Sequence, residues 1–272
     1  MMPDDIDACV NLLMETNNRP LDTPGDFYSI AKKIAYIILI FLSIQLMNQF
    51  LSLSGSCLER QLIDISNPEF WVGVYQQIFQ AITATVLFFL FFKKGVKELG
   101  INARNASTSI RYFGFFVLAW VSIMILYVLI THTYFPQTWA SMTSIELPQL
   151  NTIIPTLLFQ SFFPGIGEEI LFRGFIVNVL AALVLTRYRD HGVSRMGIIF
   201  ISSLYFATAH IYFTLSPFRL THIDCLQLVT GFCCGAFYAV VYLKTKSLLA
   251  PFLAHNFANT SATVCGYIIS AI

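Results

Sequence analysis

Runs free of Asp, Glu, Lys and Arg divide the chain. Residues 34–58 lie between Lys33 and Glu59, and residues 70–92 between Glu69 and Lys93. Further apolar runs cover about 112–130, 150–186, 196–213, 225–243 and 247–269, and of these only 150–186 carries charges in its middle. Each approaches or exceeds the ~20 residues that a helix needs to cross a hydrocarbon core. None shows the alternation of a membrane barrel, and lipid leaves the backbone no other way to satisfy its polar groups than a helix. The pattern predicts an all-α, polytopic membrane helix bundle of about seven transmembrane helices, with six to eight as the bounds. Residues 1–33 read as a polar cytoplasmic N-terminal segment and 34–272 as the transmembrane domain.

Composition narrows the function classes. Of 272 residues, 56% are hydrophobic and 11% charged, and the mean hydropathy is +0.69. A soluble domain carries about 25% charged residues, so a soluble enzyme is excluded, as is a disordered chain with 26 phenylalanines. A net charge of +1 implies no nucleic-acid partner. Asp4, Asp5 and Asp7 stand where a cleavable signal needs positive charge, so the first apolar run is expected to be retained as an anchor. The six cysteines form no C-x-x-C pair and read as small buried hydrophobes.

The basic residues orient the spans. With strict alternation, Arg19, Lys32, Lys33, the five between spans two and three, Arg187, Arg189, Arg195, Lys244 and Lys246 share one side, and only Arg60 and Arg219 face the other. The positive-inside rule then puts the N-terminus in the cytoplasm and the C-terminus outside a cell membrane. Splitting 150–186 into two spans would move Arg187, Arg189 and Arg195 outside. One long crossing is therefore expected, tilted or broken near Pro164-Gly165-Ile166-Gly167, where a restarting helix would favour carboxylates at its N-terminus.

Glu168, Glu169 and Arg173 lie inside that apolar run. Each would cost roughly 2.5–3.5 kcal/mol facing lipid, so they should face the protein interior or water. Glu169 and Arg173 are i,i+4 and can pair; Glu168 is rotated by about 100° and is left for another partner. Span five carries Phe206-x-x-x-His210 and span seven His255-x-x-x-Asn259, whose two polar groups share a face. The set supplies an acid/base, a water activator and oxyanion donors. Taken singly, Glu169–Arg173 also fits a structural ion pair, and the histidines fit helix-to-helix hydrogen bonding.

The run Glu168-Glu169-Ile170-Leu171-Phe172-Arg173, followed by Phe206-x-x-x-His210 and His255-x-x-x-Asn259, resembles the CAAX protease and bacteriocin-processing (Abi) family over about residues 150–262. The resemblance implies an intramembrane endopeptidase acting on a membrane-associated peptide or lipidated protein, of CAAX or bacteriocin/self-immunity type. It implies Glu168 as general base with His210 activating the water, His255 and Asn259 as the oxyanion site, and Glu169, Arg173 and Phe206 in support. No cofactor is expected. Zinc is the alternative, with Glu168, His210 and His255 as ligands, although H-E-x-x-H is absent. Two other functions compete. A non-catalytic membrane binding or immunity scaffold would need no such inventory. A proton-coupled transporter would use the same residue types, but here they sit only in the C-terminal half, without paired broken helices.

Overall fold

The computed structural model describes residues 24–62, 65–183, 191–215 and 218–272. Most of the expected N-terminal segment, residues 1–23, lies outside the described residues. The helices are α1 (Pro24–Gln61), α2 (Pro68–Phe92), the short α3 (Val96–Leu99), α4 (Ala106–Tyr134), α5 (Pro136–Thr143) and α6 (Leu150–Glu169). A π-helical segment, Ile170–Ile176, leads into α7 (Val177–Leu183). Then come α8 (His191–Thr208), the strands β1 (Tyr212–Leu215) and β2 (Phe218–His222), α9 (Cys225–Thr245) and α10 (Leu249–Ser270). Proline opens α2 and α5, where its missing N–H costs no hydrogen bond.

The chain is an all-α integral membrane protein. Among the described residues, four helical stretches are long and apolar enough to cross a membrane: Ala31–Gln61, Pro68–Phe92, Ala106–Tyr134 and Cys225–Thr245. The other expected crossings differ for a physical reason. Those at α6 and α10 interrupt their apolar sequence with Glu168 and Glu169, or with His255, Asn256 and Asn259, and α8 offers only the shorter apolar stretch Arg195–Thr208. The apolar surface of α4 is turned outward, with Leu118 70% exposed; such a face is stable against lipid and not against water.

Three expectations are corrected here. The chain does not break at Pro164-Gly165-Ile166-Gly167: α6 runs through to Glu169, and helical backbone continues from residue 150 to 183. The departure from α geometry comes after the carboxylates, as the π segment, so no helix N-terminus supports them. Span five does not reach residue 213. Helix α8 ends at Thr208, His210 sits on the turn beyond it, and β1 pairs antiparallel with β2. Tyr212-Phe213-Thr214 suits a strand, and the sequence's Pro217 cannot continue a helical ladder. Finally, Cys57, Cys225 and Cys233 are exposed from the protein rather than buried in it.

The chain divides into two compact units. The first takes α1 up to Phe50 and residues 176–236. In it α7 packs on α8, Phe200 meets Phe232 edge-on, and the Tyr205 hydroxyl donates to the Ile37 carbonyl at 2.6 Å. The second takes residues 51–175 and 237–272. There α6 packs against α2 and α10, and α10 also against α4. Two hydroxyl contacts tie these helices in a way suited to lipid surroundings. Ser161 and Thr260 are 3.0 Å apart, and the Trp120 indole donates to Ser261 at 2.9 Å.

Candidate active site

In the second unit the C-terminal end of α6 lies between α2 and α10 at short range. A Cβ added to Gly167 would stand 2.9 Å from the Gln77 Cα, and one added to Gly165 would stand 2.7 Å from the Asn256 Oδ1. The glycines therefore bring α6 against backbone or amide groups on both sides instead of loosening it. The Gly165 N–H donates to Asn256 Oδ1 at 2.8 Å, one residue beyond Pro164, whose ring crowds the preceding turn. Asn256 Nδ2 donates back to the Phe162 carbonyl at 3.4 Å.

This packing sets two carboxylates in different surroundings. Glu169 is fully buried and its Oε1 accepts from Arg173 Nη1 at 2.9 Å, the i,i+4 pair expected from the spacing. The same oxygen accepts from His255 Nδ1 at 2.8 Å. Glu168 is half-buried; its Oε1 accepts from the Gln77 amide at 3.4 Å, and its Oε2 stands 3.9 Å from His255 Nε2. An ionised carboxylate only accepts, so His255 Nδ1 carries the proton it gives to Glu169 and Nε2 is directed to the Glu168 side. The imidazole, 4% exposed, stacks on buried Tyr238 with ring centroids 5.6 Å apart and planes 15° from parallel. Arg173 lies 5.1 Å from the centroid of the same tyrosine. Glu169 thus joins a guanidinium on its own chain segment to an imidazole on α10, and Tyr238 braces both.

The π segment is part of this arrangement. Arg173 belongs to it and Glu169 immediately precedes it. Such local widenings recur at functional sites because they re-aim side chains that regular α geometry would place elsewhere.

The remaining predicted residues have separate settings. Asn259 lies one turn beyond His255, half-buried, with its own carbonyl accepting from Thr263 at 2.9 Å. Phe206 and His210 belong to the first unit. His210 Nδ1 is 2.9 Å from the Phe206 carbonyl, and the two rings meet edge-on at 5.3 Å. A carbonyl oxygen can only accept, so Nδ1 is again the protonated nitrogen, and Nε2 is the position that can take a proton.

Sequence reasoning missed Gln77, Tyr238 and Asn256. Gln77 carries no charge, so the charge-free run 70–92 gives no signal at its position. Asn256 lies off the His255–Asn259 face that the spacing singles out, and its amide bonds to α6 instead.

The zinc alternative needs three donors at one point. In the second unit Glu168 and His255 are neighbours, with His255 Nδ1 held by Glu169 and Nε2 on the Glu168 side. Among the described residues no group of three His, Cys, Asp or Glu side chains is placed to hold a metal ion.

Residues 150–261 match the family model of the type II CAAX prenyl endopeptidase Rce1-like proteins. No curated protein and no solved structure matches the chain. The matched stretch begins with α6 and ends on α10, so it includes every charged and imidazole group of the cluster, whereas Gln77 lies outside it. Over residues 150–261, then, this integral membrane protein is similar to the Rce1-like type II CAAX prenyl endopeptidases.

Proposed function

We propose that the protein is a glutamate-type intramembrane endopeptidase that hydrolyses a peptide bond of a membrane-associated peptide or prenylated protein. Glu168 is the general base. It takes a proton from water, with His210 Nε2 sharing the activation, and the oxygen attacks the scissile carbonyl carbon. The negative charge that develops on the carbonyl oxygen is met by His255 Nε2–H, with the ring carrying both protons, and by the Asn259 amide. Collapse of the tetrahedral intermediate breaks the C–N bond. The proton held by Glu168 passes to the departing amine, leaving a free carboxylate and a free amine.

The observation that supports this reading is the suspension of His255 between two unlike carboxylates. Glu169, fully buried and tied to Arg173, fixes the ring at 2.8 Å; Glu168, half-buried, stands 3.9 Å from the other nitrogen. A merely structural ion pair requires Glu169 and Arg173 and gives no reason for a second carboxylate on the far side of the imidazole. We place the N-terminus in the cytoplasm, on the balance of basic residues, and assign the protein to a cell membrane.

The test is the cleavage of a farnesylated CAAX-type peptide, and of the membrane proteome, by purified protein in liposomes. Wild type should release a new amine terminus that Glu168→Gln, folded and inserted to the same level, does not. Equal cleavage by the two proteins would overturn the assignment of the base. A phenotype that persists in Glu168→Gln without any cleavage would favour the scaffold.

A further inference from the structure

Helix α1 lies well outside the matched stretch, yet it presents three amides to the turn that carries His210. Gln45 Nε2 donates to the Thr208 carbonyl at 3.3 Å, Asn48 Nδ2 to the Ala209 carbonyl at 3.4 Å and Gln49 Nε2 to the Phe213 carbonyl at 2.9 Å. The three occupy positions i, i+3 and i+4, one face of the helix. All belong to the first unit, as does the turn.

Helix α8 stops at Thr208, and the last carbonyls of a helix lack an intrahelical donor. The Thr208 carbonyl already accepts from the Ile211 N–H at 3.1 Å, and Phe213 lies on β1, so the three amides do more than complete a helix end. They bracket His210, with two carbonyls immediately before it and one three residues after. His210 Nδ1 meanwhile donates to the Phe206 carbonyl one turn back. The backbone on both sides of the imidazole is therefore held from α1, and the ring is held from α8.

We propose that Gln45, Asn48 and Gln49 are positioning residues for His210: through the backbone of its turn they fix the ring in the Nδ1-protonated tautomer with Nε2 available to water. This rests on the role given to His210 above. It makes α1 part of the working site although the family stretch begins at residue 150.

The experiment compares Gln45→Met, Gln49→Met and the pair together, which keep length and volume while removing the donors, with Tyr205→Phe. The last removes another α1–α8 bond, that from the Tyr205 hydroxyl to the Ile37 carbonyl, one turn before the His210 turn. Imidazole nitrogen NMR of full-length protein in nanodiscs reads the tautomer, with His210→Gln identifying the signal. Wild type should show one Nδ1-protonated form. The Met variants should show averaging between tautomers. For cleavage of the farnesylated peptide they should lower kcat roughly 10- to 100-fold with KM unchanged, as small misplacements of catalytic groups do. Tyr205→Phe should change neither.

An unchanged His210 signal in folded Met variants would overturn the proposal, as would the same changes with Tyr205→Phe. Should the Met variants fail to fold, wild type alone still decides, because a His210 ring that already averages its tautomers is not being held. If wild type cleaves nothing, the tautomer readout stands and it is the peptidase reading that fails.

Discussion

The two histidines to which the proposed mechanism assigns roles differ in how they are held. His255 is anchored by a charged group from a distant part of the chain: the buried carboxylate of Glu169 on α6, itself paired with Arg173. His210 is anchored by the neutral carbonyl of Phe206, four residues earlier, and its turn by uncharged amides of α1. Both rings are held through Nδ1. The difference teaches that an imidazole can be aimed in lipid by two routes. A buried ion pair does so at high stake, since removing either partner strands a charge. A set of neutral hydrogen bonds does so at lower stake, each bond contributing on the order of 1 kcal/mol.

The largest effects should come where that stake is highest. Glu168→Gln keeps the shape of the side chain and removes the base, so cleavage in liposomes should fall by roughly 10²–10⁴-fold with no loss of folded protein. Glu169→Gln instead leaves Arg173 buried without its charge partner. It should destabilise the fold by about 3–5 kcal/mol, read by denaturant unfolding in detergent. The paired change Glu169→Met with Arg173→Met should recover most of that stability, because two apolar side chains strand no charge. It should not recover activity, because His255 has lost the group that fixes its ring. Recovery of both together would reduce Glu169 to a packing element and remove one side of the comparison.

Substituting the histidines themselves sharpens the contrast. His255→Gln removes an oxyanion donor, with an expected loss of ~2.7–4 kcal/mol in transition-state stabilisation. It should also lower stability, since Glu169 Oε1 loses the donor at 2.8 Å and keeps the one from Arg173 at 2.9 Å. His210→Gln should lower cleavage while shifting stability by no more than about 1 kcal/mol, the scale of a hydrogen bond to a neutral carbonyl. Unfolding curves measured beside cleavage rates separate the two. Equal destabilisation by both substitutions would mean that the anchors do not differ in kind.

Legibility followed the same divide. The membrane helices could be read because a charge-free run long enough to span lipid has few other outcomes. Glu169–Arg173 could be read because i,i+4 spacing on a helix is a local rule, and the pairing at 2.9 Å follows it. The approach of His255 to both carboxylates could not, since no spacing rule connects residue 255 to residues 168 and 169. Pro164-Gly165-Ile166-Gly167 was expected to mark a tilt or a break because Pro and Gly are helix breakers in water, and the helix does not break there. In this helix the glycines serve contact with Gln77 and Asn256. The β1–β2 pair was not legible because an apolar run of this length reads as helix, nor were the amides of α1 and α2, because hydropathy and charge both pass over glutamine and asparagine.

Gln77 gives the smallest and most discriminating prediction. It reaches Glu168 Oε1 from α2 at 3.4 Å, outside the matched stretch and with no charge of its own. If neutral bonds aim catalytic groups without carrying the fold, Gln77→Met should shift stability by no more than about 1 kcal/mol. Cleavage should fall by about three- to tenfold, the range in which a lost hydrogen bond of that size acts. Gln77→Glu tests the same contact by sign. A second carboxylate directed at Glu168 replaces an attractive bond with like-charge repulsion, so it should impair cleavage more than Gln77→Met although it preserves the side chain's shape. A Glu variant as active as wild type would show that Gln77 and Glu168 are neighbours without coupling. The carboxylate would then owe its aim to α6 alone.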